Sequence, residues 1–395
     1  MILSEGGAPC EVLELRDPTT EGLDVHSRPV ETIQIARPKL LGNELAYVTD
    51  CIESGWISSA GQYVNRFEEA FAERVQVRHA ATCSNGTVAL HLALLALNIG
   101  PGDEVIVPTL TYIASANAVV YCGATPVFVD VEPDTMNLSP VAVERAITLR
   151  TKAVIAVHLY GHPADMDGLR QVCQPHGVRI VEDAAEAHGA MIDDRVAGSF
   201  GDLATFSFFG NKIMTTGEGG MVTTNSTDLD GFVRLFKGQG QDPDRRYWFP
   251  VVGYNYRMTN VAAAIGLAQL ESLDHHLADR RRVGDAYDSL LADCDLLQLP
   301  TTRPGYTNVR WLYTVVVDER CRLSRDEIMS AMDAEGIETR PVFYPMHHLP
   351  PYLDTTTPMP VAERLSAQGI SLPTHGYLTE SQTQFVATTL LKLLS

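Results

Sequence analysis

The chain has 395 residues. Domains usually run to roughly 100–200 residues, so two packed domains are the expectation. Its 45% hydrophobic and 20% charged residues suit a globular enzyme, and it contains no apolar run of the roughly 18 residues needed to span a bilayer. A formal charge of −19 excludes broad binding to nucleic acid or an anionic membrane, whose phosphates would be repelled at long range, while a few arginines and backbone amides can still receive a small anion.

Met1 to Thr32 carries Glu5, Glu11, Glu14, Asp17, Glu21 and Asp24 and lacks the basic start and apolar block of a secretion signal. Without a clear period, residues 1–32 are expected to form an arm that is disordered in part. Seven cysteines, at positions 10, 51, 83, 122, 173, 294 and 321, are scattered without a CxxC pair. That pattern describes no disulfide framework, and it points to a reducing, cytoplasmic location.

From Ile33 the pattern becomes regular. Asn43–Ser54 and Val64–Val75 repeat apolar residues every three or four positions and predict helices, with Gly55, Ser58, Ser59 and Gly61 marking a loop between them. Ser84-Asn85-Gly86-Thr87 then opens the apolar helix VALHLALLALNIG. The strand GDEVIVP, a helix through IASANAVVYCG and the strand ATPVFVDVE follow. KAVIAVHLYG, a helix around Met166–His176, VRIVEDAA, LATFSFF and GGMVTTN continue the alternation. Unbroken Val/Ile runs imply strands covered on both faces, hence an α/β domain with a mostly parallel sheet over residues 33–265. After Asn260 a long helical pattern reads as a connector, and WLYTVVVD with SRDEIMSAMDAEG predicts a smaller α+β domain over residues 266–395.

The chemistry concentrates in a few places. Lys212 lies just past an apolar strand, in a turn flanked by Gly210 and Gly217. It is either a solvated loop lysine or a Schiff-base lysine whose amine is exposed as a nucleophile among apolar neighbours. Asp183 ends a buried strand, where α/β sheets bind ligands. It either caps the next helix or faces a cationic partner, since a buried carboxylate is costly unpaired. Pyridoxal 5′-phosphate (PLP) supplies such a partner, because an ionised Asp against its pyridine nitrogen keeps the ring an electron sink. Asp183 roughly thirty residues before Lys212 weighs more than either residue alone, and the pair decides for the cofactor reading. Gly86 and Thr87, at a helix start, suit an anion, as they would any helix cap. Ser207 could add a hydroxyl, and Tyr112 could stack on the pyridine ring or pack in the core.

His158 with His162, and His347 with His348, lack a third ligand at plausible spacing, so no metal is expected. The run Gly217-Glu218-Gly219-Gly220 lacks the lysine-serine ending of a P-loop.

VEDAAEAHGA, FSFFGNKIMTTGEGGM, HLYGHPADM, RRYWFPVVGYNYRMTN and GIETRPVFYPMHHLPPY resemble, in order, the DegT/DnrJ/EryC1/StrS sugar aminotransferases of the fold-type I PLP enzymes. The likeness runs from about Ile33 to Leu394. It implies a seven-stranded, mostly parallel sheet in the large domain and a smaller C-terminal domain. Lys212 would be the cofactor lysine, Asp183 the partner of the pyridine nitrogen, and Glu186 the neighbour of the ring hydroxyl, where many relatives have Gln. Gly86, Thr87 and Ser207 would hold the phosphate, Tyr112 would stack, and Asn255 would reach the phosphate of a neighbouring subunit in a homodimer with shared sites. His347, Tyr344, Arg245 and Arg246 are candidate substrate contacts, His347 otherwise simply packing and the arginines otherwise being exposed charges.

The resemblance further implies L-glutamate as amino donor, cycling through pyridoxamine 5′-phosphate (PMP), and a nucleotide-linked keto sugar as acceptor. GDP-4-keto-6-deoxymannose aminated at C4 is the expected acceptor. Amination at C3 of a related GDP sugar and use of a dTDP-keto sugar are the alternatives. A sugar dehydratase on this fold is the rival from another class, but its relatives carry His in place of the lysine. A non-catalytic regulatory protein is a further rival, which intact Lys212 and Asp183 speak against.

Overall fold

A computed structural model of the chain describes residues 32–395. The expected N-terminal arm, apart from Thr32, lies outside the described residues.

Helices α1 (Glu44–Ser54) and α2 (Gln62–Val75) come first. α2 forms because Tyr63, Val64, Phe67, Phe71, Ala72 and Val75 recur on one buried face. The chain then alternates through β1 (His79–Cys83), α3 (Gly86–Ala96), β2 (Glu104–Pro108), α4 (Ala114–Tyr121), β3 (Thr125–Val129), α5 (Pro140–Ala146), β4 (Thr151–Val157), α6 (Met166–Cys173) and β5 (Arg179–Asp183). Two short strands, β6 (Met191–Ile192) and β7 (Arg195–Val196), precede β8 (Leu203–Ser207), β9 (Gly220–Thr224) and α7 (Thr227–Lys237).

Seven strands make one sheet in the order β1-β9-β8-β5-β4-β2-β3. Only β9 runs against its neighbours, β1 and β8. The alternation of side chains splits each apolar run between two cores. Val105, Val107, Ala153, Ile155 and Val181 join the main core on one face, while Ile106, Val154, Ala156 and Ile180 join a second core on the other. Both faces are covered, as the unbroken Val/Ile runs predict.

A buried ionic cluster ties three of these elements together. Glu68 of α2 accepts hydrogen bonds from the amide and hydroxyl of Thr82 in β1. The same carboxylate accepts from Lys237 Nζ (3.0 Å) and Arg234 Nη1 (2.7 Å) of α7. Burial opposes its charge, yet the two cations and the Thr82 amide outweigh that and hold Glu68 below the usual carboxylate range.

The long helical pattern after Asn260 is two helices, α8 (Asn260–Glu271) and α9 (Leu273–Leu291), divided at Ser272. α8 packs on α1 and α2, whereas α9 packs on the C-terminal helix, so the expected boundary after residue 265 falls inside α8. The remaining elements are β10 (Leu297–Gln298), β11 (Tyr306–Thr307), β12 (Tyr313–Val317), α10 (Arg325–Ala334), β13 (Arg340–Pro341), α11 (Pro360–Gln368), β14 (Gly369–Leu372) and α12 (Glu380–Leu394). Four of the strands form an antiparallel sheet, β10-β12-β14-β13, over a core that includes Tyr287, Tyr313, Ile328, Ile370 and Val386. A third, small sheet pairs β11 with β6 and β6 with β7.

Candidate active site

The parallel strands β1, β8, β5, β4 and β2 end at one edge of the sheet, so the loops that follow them share one rim. Those loops carry Ser84–Thr87, the turn around Lys212, Asp183 with Glu186, the segment His158–His162, and Tyr112.

Asp183 is the last residue of β5, paired in register with Thr205 of β8. Its carboxylate is buried, takes a hydrogen bond from Ser115 Oγ at 2.8 Å and from the Ala185 amide at 3.3 Å, and has no salt-bridge partner among the described residues. Three residues on, Glu186 is buried too. Its Oε2 accepts from the Tyr160 amide at 2.8 Å, and its Oε1 lies 3.3 Å from Lys212 Nζ. Burial raises the affinity of Glu186 for a proton more than Lys212 lowers it, so its pKa stands above the usual value.

Lys212 rides on a loop fixed at both ends. Its amide donates to Phe209 O, Ile213 and Met214 are buried behind it, and the Thr215 amide donates to Gln269 of α8. On the other side of the amine stands Trp311, with its ring centroid 3.9 Å from Nζ. Lys212 is therefore held, which excludes the solvated-loop reading.

α3 begins beside Ser207. Asn85 caps it by accepting from the Val88 amide, and the first amides of such a helix have no acceptor of their own. A Cβ at Gly86 would stand 2.7 Å from Ser207 Cβ, so only glycine leaves this space open. The sheet rim thus offers an anion cradle, a buried carboxylate that lacks a cation, and an amine. PLP presents a phosphate, a protonatable ring nitrogen and an aldehyde to match them, and the residues fit the group.

The other candidates are placed as follows. Tyr112 is 59% exposed with its ring 6.0 Å from Phe343, so a face is free for a ligand. Asn255 is exposed, bridged to Gly238 and bonded to Arg257. Tyr344 is 58% exposed. Arg245 and Arg246 lie over the exposed rings of Trp248 and Tyr247, and no contact joins them to Lys212 or Asp183 among the described residues. His347 is buried, with Nδ1 2.7 Å from Thr109 Oγ1 and Nε2 3.2 Å from Glu363 Oε1, which leaves neither ring nitrogen for a ligand. Glu363 also gives His347 and His348 the third neighbouring group that the spacing in sequence lacked, all within 4.8 Å.

Ser115, Tyr160 and Trp311 were not singled out by the sequence. Each sat inside a stretch whose pattern spoke only for a helix, a strand end or a strand.

A model of the DegT/DnrJ/EryC1/StrS aminotransferase family matches residues 38–391. The chain belongs to this family. Its aminotransferases are PLP-dependent, in line with the fit of the rim to that cofactor. The chain is 55% identical to the GDP-perosamine synthase of Caulobacter vibrioides over 354 residues, which is 88% of this chain and 95% of that protein. Among solved structures it resembles S. venezuelae DesV, with TM-score 0.84 and 39% identity over 89% of this chain and 94% of that one. It also resembles the proposed sugar aminotransferase Spr1654 of Streptococcus pneumoniae in its PMP form, with TM-score 0.87 and 29% identity over 92% and 98%. Membership agrees with Lys212, since the dehydratase reading calls for His at that position.

Proposed function

We propose that this chain transfers an amino group from L-glutamate to GDP-4-keto-6-deoxymannose, yielding GDP-perosamine, with Lys212 as the catalytic base. The observation that carries this reading is the grouping of Lys212, Glu186 and Asp183 on adjacent strand ends, with Glu186 3.3 Å from the amine. Likeness to GDP-perosamine synthase over 88% of the chain supports the choice of sugar.

When bound, PLP supplies an electron sink for the donor's α-carbon. Lys212 would bond the cofactor's aldehyde carbon, and its Nζ, when free, would take the donor's α-proton. In the second half it delivers a proton to the carbon of the sugar that receives nitrogen. Asp183, oriented by Ser115, would keep a proton on the ring nitrogen, and Glu186 would serve the ring hydroxyl. Gly86, Thr87 and Ser207 would hold the phosphate, and Tyr112 would stack on the ring.

The reading includes a homodimer in which Asn255 serves the partner's site. Exposed Trp56, Ile57, Tyr247, Trp248, Phe249 and Val252 support it, as apolar side chains that a partner subunit would cover. A cytoplasmic location goes with it. No helix among the described residues is long and apolar enough to cross a membrane.

The test is Lys212→Ala, expected to lose turnover and the visible absorbance of the covalently held cofactor. A fully active variant would overturn the assignment. The PMP form, incubated with GDP- and dTDP-linked keto sugars, should aminate the GDP sugar at C4 as read by NMR; product at C3, or preference for dTDP, would refute the choice of substrate.

A further inference from the structure

We propose that Trp311 is a positioning residue whose indole face holds the Lys212 ammonium whenever that amine is not bonded to the cofactor. The inference rests on the reading of Lys212 as the cofactor lysine and adds to it a second seat for the amine.

Four contacts fix Trp311, two through its backbone and two through its ring. Its amide donates to Tyr160 O at 2.9 Å, its carbonyl accepts from Arg280 Nη1 at 2.6 Å, and its Nε1 donates to Asn211 O at 2.8 Å. The indole plane lies within 12° of the Tyr160 ring, which in turn lies within 5° of Phe343. Trp311 is almost wholly buried, so it cannot turn its edge toward the lysine without breaking these contacts. The bond to Asn211 is the telling one, because it joins the ring to the residue before Lys212.

An ammonium has three hydrogens to satisfy and loses water when buried. At Lys212 one is turned to Glu186 at 3.3 Å, and the centroid of the indole, the side chain best suited to attract a cation, is 3.9 Å away. Carboxylate and ring together form a cradle on the rim. An unbonded Lys212 amine would settle there instead of swinging into solvent.

The other charged or titratable groups facing this spot leave the ring its role. Asp183 carries a charge that adds to the proton affinity of Glu186. His188 is pushed down to about 3 by burial, then by Lys212 and Arg280, and so is neutral at ordinary pH. Arg280 is a buried cation bonded to two carbonyls, those of Trp311 and Thr374. It repels an ammonium, which the Trp311 face and Glu186 must offset.

The test uses the cofactor-free protein. Lys212 is labelled with an amine-reactive reagent and the labelled peptide is counted by mass spectrometry in wild type, Trp311→Phe and Trp311→Leu. Both variants lose the bond to Asn211, and only Leu loses the aromatic face. Near neutral pH the Leu variant should label at Lys212 about threefold to tenfold faster than the Phe variant, with the difference vanishing at strongly alkaline pH where every amine is neutral. Better access alone would raise labelling equally at every pH. Equal labelling of the two variants, or a difference that does not depend on pH, overturns the proposal.

Should Trp311→Leu not fold, Trp56→Phe with Trp248→Phe leaves Trp311 as the sole indole. Its emission should change as Lys212 titrates, and a further Lys212→Met should abolish the change. Flat emission, or the same change with Met at 212, overturns the proposal as well. Failure of the function reading would show separately, as cofactor absorbance surviving in Lys212→Ala.

Discussion

Ser115 donates to Asp183 at 2.8 Å from the first turn of α4, so a helix of one βα unit orients the carboxylate that ends the strand of another. Both groups are buried. Ser115→Ala removes the donor and leaves Oδ2 dependent on the cofactor. It should cost about 1–3 kcal/mol in the cofactor-free protein, and should weaken PLP binding because the carboxylate is no longer aimed. Urea unfolding and a cofactor titration check this; unchanged values in both would mean that the bond does nothing.

The alternating domain and the positions of Asp183 and Lys212 at strand ends were legible because each is local. Apolar runs identify strands covered on both faces, and strand ends identify the rim. What escaped the sequence depends on contacts across the chain. The division between α8 and α9 at Ser272 interrupts a pattern that stays helical on both sides. The strands β6, β7 and β11 are two residues each, too short to show a period. Trp311 read as the start of a strand, and only the approach of Tyr160 and Asn211 makes it part of the site. Glu363 reaches His347 from α11, sixteen positions away, which no ligand spacing would have suggested.

Glu186→Gln keeps an oxygen for the Tyr160 amide and removes the negative charge beside Lys212. An opposite charge within hydrogen-bond reach favours the protonated form of its neighbour. The visible pH titration of the cofactor-loaded variant should therefore have its midpoint about 1 unit lower than wild type. A midpoint that stays, or rises, would show that Glu186 is protonated in the resting site, as its raised pKa allows.

Glu68 should be a point of high sensitivity far from the chemistry. Glu68→Gln leaves Lys237 buried without its counter-charge, and such breakage typically costs about 3–5 kcal/mol. Its folded-state pKa is depressed, so this stabilisation is present above the unfolded value of 4.5 and is lost as pH falls through the lower folded value. Wild type should lose stability to acid in that range, and the Gln variant should lack that part of the loss. Parallel acid profiles for the two proteins would refute the role.

Four buried histidines predict an acid limit at higher pH. Burial is the first cause that pushes His162, His188, His276 and His375 down from 6.5, to about 4, 3, 4 and 4. Below pH 6.5 the unfolded chain takes up protons that the folded chain refuses, so stability falls as pH falls from about 6.5 to about 4. Each ring steepens the fall by up to about 1.4 kcal/mol per pH unit. Urea midpoints measured across that interval should decline throughout, and a flat profile would mean that these rings protonate in place.

The loop after β4 seats the aromatic wall. Gly161 has φ +100, and a Cβ there would stand 2.8 Å from Val309 Cγ2, 2.9 Å from Arg310 N and 3.0 Å from Trp311 N. Its carbonyl also accepts from the Val309 amide at 3.1 Å, so the two backbones are locked at this distance. Gly161→Ala must push the 309–311 segment away, and with it the indole that faces Lys212. Gly177, with φ +66 and open space around it, isolates the cost of backbone conformation alone, about 1–2 kcal/mol for alanine. Gly161→Ala should exceed Gly177→Ala in unfolding free energy and should alone weaken cofactor binding. Equal losses in the two variants, with cofactor affinity untouched, would mean that the approach of these backbones has no part in building the site.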